Sequence, residues 1–176
     1  MSDRVRLIRR VTLHRGAIIR LIRETLELDG CRMVRETVQH PGAVVILPMR
    51  DASHLVFVRQ YRRAAGRSLL ELPAGTLTAG ERPIACARRE LEEETGWRAR
   101  RMRRLLRFYA APGFSSERMT LFLAQGLRWV GARPDPDEFV QPVVLSLKTA
   151  LAKIAAGEIC DAKSIIGVLL AHRLLA

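Results

Sequence analysis

One stretch constrains this chain more than any other: Gly75 to Trp97, which reads GTLTAGERPIACARRELEEETGW. It opens with turn-prone residues and continues as a helix. Pro83 suits the first helical turn, and Gly96 suits the position just beyond a helix end. We therefore predict a helix over residues 82–95.

This helix has a narrow apolar face. At 100° per residue, Ala87, Leu91 and Thr95 fall within about 60° of Ile84. We expect this stripe to pack against a core.

The same helix carries four glutamates within residues 90–94, although the chain's formal charge is +12. Glu90, Glu93 and Glu94 share one flank of the helical wheel, and Glu92 points the other way. Like charges at these spacings repel by roughly 0.2–0.5 kcal/mol per pair, so we expect a cation beside them. With only oxygen ligands close by, that ion would be Mg²⁺ or Mn²⁺. Arg89 is placed to pair with Glu93 and hold its carboxylate. The alternative is a solvated acidic face that pairs with the surplus arginines.

The remainder reads as short strands, with further helices only at the end, which is typical of an α+β fold whose helices cover a mixed sheet. The turn residues 50–53 predict a hairpin between 42–49 and 54–62. Ser146 and Asp161 are expected to cap the last two helices. The predicted strands are 5–14, 16–28, 31–40, 42–49, 54–62, 69–75, 102–110, 118–127 and 139–147, and the final helices are 148–157 and 162–176.

Composition places the chain among ordinary soluble proteins. Its 176 residues suffice for a hydrophobic core and contain no apolar run of about 20 residues, so no membrane span is expected. The first residues lack the apolar region of a secretory signal. The odd number of cysteines, Cys31, Cys86 and Cys160, fits a reducing cytoplasm and three small buried side chains.

The charge of +12 leaves two interpretations open. Arginines are spread along the chain, with short runs at Arg98–Arg104 and Arg59–Arg63. Aromatic residues make up only 5%, so stacking platforms for nucleic acid are scarce and a nucleic-acid partner is not expected. A solvated basic surface and attraction of a phosphate-bearing small substrate both remain compatible.

The spacing within Gly75–Trp97 matches the Nudix box at nine positions over 23 residues, so the chain resembles the Nudix hydrolases. The resemblance implies an α/β/α sandwich in which a loop–helix–loop packs on a mixed sheet. It also implies metal-dependent cleavage of a nucleoside diphosphate linked to another group. The matching residues are Gly75, Glu81, Arg89, Glu90, Leu91, Glu93, Glu94, Gly96 and Trp97.

The same resemblance implies a ligand set. Glu90 and Glu94 would bind metal directly, and Glu93 does so in many members. The carbonyl of Ala74 often coordinates as well. Glu81 would be an outer ligand or a support for the loop.

Residues after the box resemble the ADP-ribose pyrophosphatase subfamily. FYAAPGFSSE carries Pro112 sixteen residues beyond Gly96, with Ala111 where a serine is usual. VRQYR, RETVQHPGAV and GEICDAKSIIGVLLA are also similar to that subfamily. The resemblance implies hydrolysis of ADP-ribose to AMP and ribose 5-phosphate. Another nucleoside diphosphate sugar, such as GDP-mannose, and a non-catalytic nucleotide- or RNA-binding domain remain alternatives.

The subfamily also suggests the domain organisation and the substrate contacts. Residues 1–40 would be N-terminal antiparallel strands exchanged across a homodimer, and 41–176 the Nudix domain. Arg62 would contact the diphosphate, with a surface arginine as the alternative. The other predicted substrate-binding residues are Glu36 for adenine, Arg59, Phe114 for the ribose or base, Pro112 and Gly113 for the loop shape, and Glu117.

The group that activates water is predicted in a loop that is acidic in relatives. Glu138 matches its last acid, while Pro136 and Gln141 replace acids. Because glutamine accepts no proton at neutral pH, Glu138 or Glu93 is the candidate base. A solvated loop acid is the alternative for Glu138.

Overall fold

The computed structural model describes residues 5–131 and 140–175. They form two compact units: 5–42 with Tyr109–Arg118, and Ala43–Phe108 with 119–131 and 140–175. No helix in these described ranges is long and apolar enough to cross a membrane.

The N-terminal unit is an antiparallel three-stranded sheet in the order β1-β2-β3, as predicted for this segment. A two-residue turn at Asp29–Gly30 joins the last two strands. Both turn residues have positive φ, 50° and 81°, which matches the right-handed twist of a hairpin. The strands are β1 (Arg6–Arg15), β2 (Arg20–Leu28) and β3 (Cys31–Gln39).

A later segment, Tyr109–Arg118, returns to this unit, which the sequence did not indicate. The backbone N–H of Val38 donates to the carbonyl of Phe114 at 2.8 Å. The N–H of Ser116 donates to the carbonyl of Val38 at 2.9 Å. These hydrogen bonds attach the segment to β3.

The larger unit contains two sheets, of strand orders β7-β4-β9-β8 and β10-β5-β6. β4 is parallel to β9 and antiparallel to β7, so the predicted mixed sheet is confirmed. The strands are β4 (Ala43–Pro48), β5 (His54–Arg62), β6 (Arg67–Glu71), β7 (Ala74–Thr76), β8 (Trp97–Tyr109), β9 (Arg118–Trp129) and β10 (Val140–Ser146), with a 3-10 turn at Arg63–Ala65.

The predicted hairpin between β4 and β5 is wrong. Beyond the end of β4, an isolated bridge joins Met49 to Leu55 and the Arg50 N–H donates to the His54 carbonyl at 2.9 Å, but the two strands belong to different sheets. The reason is burial: all six residues of β4 are buried, and β7 and β9 occupy both of its edges. β5 therefore pairs elsewhere.

The three helices begin and end close to the predicted positions. Gly96 ends α1 with a left-handed φ of 72°, as expected of a residue just beyond a helix end. The Ser146 hydroxyl accepts the N–H of Thr149, and Asp161 Oδ2 accepts that of Ser164 at 3.1 Å, so both predicted caps are confirmed. The helices are α1 (Pro83–Thr95), α2 (Leu147–Ala155) and α3 (Ala162–Leu175).

Only part of the cysteine prediction holds. Cys86 is fully buried, but Cys31 and Cys160 are exposed. Cys31 follows the turn of a surface hairpin, and Cys160 lies in the loop before α3, so neither faces the core.

Candidate active site

The apolar stripe of α1 determines where its acids lie. Ala87, Leu91 and Thr95 are fully buried, as predicted. Turning this stripe to the core also buries the neighbouring flank, where Glu90 is 7% and Glu94 is 2% exposed. The two carboxylates therefore lie one turn apart beside the sheet.

β7 passes directly against these two carboxylates. The backbone N–H of Ala74 donates to Glu94 Oε2 at 3.1 Å. A Cβ at Gly75 would lie 1.9 Å from Glu90 Oε1, a distance that no side chain permits. Glycine is therefore required at the first box position because the Glu90 carboxylate occupies that space.

The guanidinium of Arg89 contacts three carboxylates. Its Nη1 lies 2.8 Å from both Glu90 Oε1 and Glu93 Oε2, and its Nε donates to Glu81 Oε1 at 3.1 Å. The predicted Arg89–Glu93 pair is thus confirmed. Hydrogen bonding to Glu81 is the main cause that raises the pKa of Arg89. We call Arg89 with Glu81, Glu90, Glu93 and Glu94 the carboxylate cluster.

Glu81 supports the loop before α1. It accepts hydrogen bonds from the N–H and the hydroxyl of Thr78 in addition to those from Arg89. The Arg89 hydrogen bond, followed by those from Thr78, lowers the pKa of Glu81 to about 2. Of the two roles left open by the sequence, this geometry matches the support of the loop.

Two of the three acids expected to bind metal share one guanidinium. Arg89 Nη1 contacts both Glu90 and Glu93 at 2.8 Å, whereas Glu92 pairs with Arg98 at 2.7 Å on the outer side. Among the described residues, no three His, Cys, Asp or Glu side chains are arranged to hold a metal ion. Because Arg89 lies within 2.8 Å of both Glu90 and Glu93, it compensates part of their charge.

Glu90 and Glu94 nevertheless suit a hard divalent cation. They supply buried carboxylate oxygens beside β7, where the Ala74 N–H meets Glu94. Such all-oxygen donor sets favour Mg²⁺ or Mn²⁺ over softer metals. The close approach of Gly75 leaves the Glu90 carboxylate against bare backbone rather than under a side chain.

Sequence reasoning missed a cysteine beside this cluster. Cys86 Sγ lies 4.0 Å from Glu90 Oε1 and 3.4 Å from Arg89 Nη2. Burial, followed by the nearby Glu90 and Glu81 charges, raises the pKa of the Cys86 thiol to about 12. The thiol is therefore protonated at neutral pH beside these carboxylates. Its position four residues before Glu90, one helical turn, was the available signal.

A second set of charges was also missed, and it involves Arg62. Arg62 donates from Nη2 to Glu71 Oε2 at 2.7 Å, and Lys163 Nζ donates to the same oxygen at 2.5 Å. Lys163 also donates to Asp161 Oδ2 at 2.9 Å. We call these four residues the buried ion network. No local pattern predicted it, because Glu71 and Lys163 are 92 residues apart.

The network stabilises the charge of Glu71 despite its burial. Only 1% of Glu71 is exposed, which alone would raise its pKa. Hydrogen bonds and charges from Arg62 and Lys163 outweigh the burial and lower the pKa of Glu71. Burial likewise opposes the charge of Arg62, yet Glu71 and, more weakly, Glu94 raise its pKa.

The remaining candidates in the larger unit lie near the end of β5. Arg59 is exposed and lies opposite Gln141 on the neighbouring strand β10. Arg62 remains 38% exposed while bound to Glu71. Glu138 and Pro136 lie outside the described residues.

The candidates in the N-terminal unit are mostly exposed. Glu36 pairs with Arg23 at 2.6 Å across β2 and β3. Phe114 is 61% exposed and therefore not part of a core. Glu117 Oε1 lies 3.9 Å from His40 Nδ1. Pro112 and Gly113 are exposed in the same returning segment.

Comparison with known proteins supports the resemblance seen in the sequence. A NUDIX domain matches residues 39–164. The ADP-ribose pyrophosphatase of Bacillus subtilis (strain 168) is 40% identical over 152 residues, or 85% of this chain and 82% of that protein. The ADP-ribose pyrophosphatase of Mycobacterium tuberculosis is 42% identical over 166 residues, or 92% and 80%.

A solved structure described as an ADP compounds hydrolase has the same fold. It superposes with a TM-score of 0.85 at 25% identity and covers 97% of this chain and 94% of its own. The box around the buried Glu90–Glu94 pair, the mixed sheet and these matches lead to one conclusion: the chain belongs to the Nudix family.

Proposed function

We propose that this protein hydrolyses the diphosphate of ADP-ribose to AMP and ribose 5-phosphate, with Mg²⁺ as the preferred ion and Mn²⁺ as a substitute. The observation that carries the proposal is the buried Glu90–Glu94 pair against Gly75. The two relatives at 40% and 42% identity, both ADP-ribose pyrophosphatases, support the choice of substrate.

Nudix hydrolases generally need a divalent metal. In this chain Glu90, Glu94 and the carbonyl of Ala74 would hold it. The bound ion neutralises phosphate charge and lowers the pKa of water, which makes an otherwise resistant diphosphate bond open to attack.

The chain's own groups keep this arrangement in place. Arg89 holds the Glu90 and Glu93 carboxylates at 2.8 Å and, through Glu81, the loop before α1. We assign Arg89 and Glu81 to positioning. Glu93 and Glu138 remain the proposed groups that accept a proton from water.

Arg62 is the proposed contact to the substrate diphosphate. Glu71 fixes its guanidinium through Nε and Nη2, which orients the side chain in advance. The Arg62 side chain remains 38% exposed, so its guanidinium N–H groups are accessible to an anion. Arg59 is proposed as a second contact. Glu36, Pro112, Gly113, Phe114 and Glu117 are proposed to bind the adenosine or ribose.

A substrate panel tests this proposal. We expect kcat/KM for ADP-ribose at fixed Mg²⁺ to exceed that for GDP-mannose and UDP-glucose by at least ~10-fold. Chelation by EDTA should abolish turnover. Equal or faster cleavage of GDP-mannose would overturn the choice of substrate. No hydrolysis of any of them with Mg²⁺ or Mn²⁺ would instead support a non-catalytic nucleotide-binding domain.

We also propose that the protein is a homodimer in which the N-terminal strands contact a second copy. All of β1 is exposed, including the apolar side chains Leu7, Val11 and Leu13. Exposed apolar surface of this kind marks association sites. Light scattering at micromolar concentration should give the mass of two chains, and a monomeric mass would refute this proposal.

A further inference from the structure

The arginine run Arg98–Arg104, which the proposed function does not use, lies on β8 at the edge of its sheet. In the described part of the chain, Arg98 is the one arginine of this strand with a carboxylate partner, Glu92. Unpaired like charges along one strand create a positive potential that attracts anions. With Arg107, the strand carries six arginines: Arg98, Arg100, Arg101, Arg103, Arg104 and Arg107.

Three of these arginines surround a cavity. Arg103, Arg104 and Arg107 line it together with Arg82, and its volume is about 540 Å³. That volume falls within the range of roughly 300–1,000 Å³ that is typical of small-molecule sites. None of the four arginines forms an ion pair within residues 5–131 and 140–175. We call this cavity the arginine groove.

The start of α1 opens into the same groove. Arg82 is its N-cap residue and makes no capping hydrogen bond through its side chain. The first turn contains no acidic residue that would compensate the helix dipole. A 13-residue helix therefore begins, with its positive end, at the groove that these arginines line.

The groove is distinct from the carboxylate cluster. The cluster packs on β7, whereas the groove lies along β8, and these two strands are opposite edges of one sheet. No residue of the carboxylate cluster lines the groove.

The lining also indicates the class of ligand. Phe122, the aromatic residue in the groove, is only 4% exposed, so it offers no face for stacking a nucleic-acid base. Binding would depend on the guanidinium forks, which match phosphate oxygens in geometry and charge. Four such groups in one cavity fit several phosphates held close together.

We propose that the arginine groove is an accessory anion site for a small ligand that carries at least two linked phosphate groups. The site lies apart from the metal-binding carboxylates and does not depend on them.

Isothermal titration calorimetry with tripolyphosphate and with inorganic phosphate tests this inference. EDTA is present throughout, so that metal at the carboxylate cluster does not contribute. We expect tripolyphosphate to bind more tightly than phosphate, because it engages several arginines at once. The variant Arg103→Gln/Arg107→Gln should weaken tripolyphosphate binding by at least ~10-fold. The control Arg100→Gln/Arg101→Gln, with the same change in charge on the same strand but outside the groove, should weaken it by less than ~3-fold.

Three results would overturn the inference. Equal weakening by both variants would show a diffuse field instead of a site. Equal affinity for phosphate and tripolyphosphate would show a site for a single phosphate. Binding of a single-stranded RNA oligonucleotide without binding of tripolyphosphate would assign the arginines of β8 to nucleic acid. Circular dichroism of each variant confirms that the fold is retained.

Discussion

The carboxylate cluster and the buried ion network are built from the same residue types in different proportions. In the network, Glu71 and Asp161 face Arg62 and Lys163, so acids and bases are equal in number. In the cluster, three carboxylates contact the single guanidinium of Arg89. The first arrangement compensates its own charge, and the second leaves negative charge in excess.

The ratio of acidic to basic groups therefore indicates a structural role for the buried ion network and a chemical role for the carboxylate cluster. Buried charges are tolerated when partners and hydrogen bonds compensate them, as in the network that joins β5, β6 and α3. An excess of buried carboxylate gains most from an added divalent cation. The comparison thus predicts that the network contributes to stability and the cluster to catalysis.

Breaking the network should cause the largest loss of stability. We expect Glu71→Gln to lower the free energy of unfolding by about 3 kcal/mol or more, because Arg62 and Lys163 lose their shared buried carboxylate. Denaturant unfolding measures the change. The exposed pair Lys153–Glu158 provides the control, since Glu158→Gln should cost less than ~0.5 kcal/mol. Equal losses in the two variants would contradict the role assigned to the network.

Neutralising the cluster should reduce catalysis while leaving the fold intact. We expect Glu90→Gln and Glu94→Gln each to lower kcat by at least ~100-fold, equivalent to ~2.7 kcal/mol of activation free energy. Glu92→Gln on the same helix is the control, because Glu92 pairs outward with Arg98 and should leave kcat nearly unchanged. Near-normal turnover by either of the first two variants would remove the metal assignment.

A single methyl group at Gly75 tests the geometry of the cluster without changing its charge. Gly75→Ala places a Cβ where the Glu90 carboxylate now lies, so the carboxylate must move. We expect kcat to fall by ~10-fold, and Mg²⁺ affinity, measured by calorimetry, to weaken with it. Unchanged affinity and rate would show that the position of the Glu90 carboxylate is unimportant.

Acid should remove the contribution of the network gradually. The folded pKa of Glu71 is lowered, so its contribution is complete above the unfolded pKa of about 4.5 and is lost as the pH falls through the folded pKa. One such group changes stability by at most ~1.4 kcal/mol per pH unit. The difference in unfolding free energy between wild type and Glu71→Gln should therefore shrink as the pH falls below 4.5. A constant difference down to pH ~2 would contradict this sign.

Local features were predictable because short-range geometry determines them. The start of α1 at Pro83, its end before Gly96 and the burial of Leu91 follow from residue type and the helical period. The pairing of Arg89 with Glu93 follows from their spacing of four residues. The family, too, was evident from the box alone.

Strand pairing was less predictable. The turn after β4 indicated a hairpin with β5, but a wholly buried strand needs partners on both edges. Its partners, β7 and β9, lie far along the chain, so no local turn identifies them.

The sequence by itself therefore determined the family, the position of α1 and the identity of the carboxylates that it carries. Only the tertiary structure decided how those carboxylates are shared, because Arg89 also contacts Glu90 and reaches Glu81 in the loop before α1, and β7 meets Glu90 and Glu94. It also decided that Arg62 joins a network reaching Lys163, and that arginines of β8 meet the start of α1. Spacing along a helix sets angles within that helix, whereas contacts between distant segments exist only once the sheets have formed.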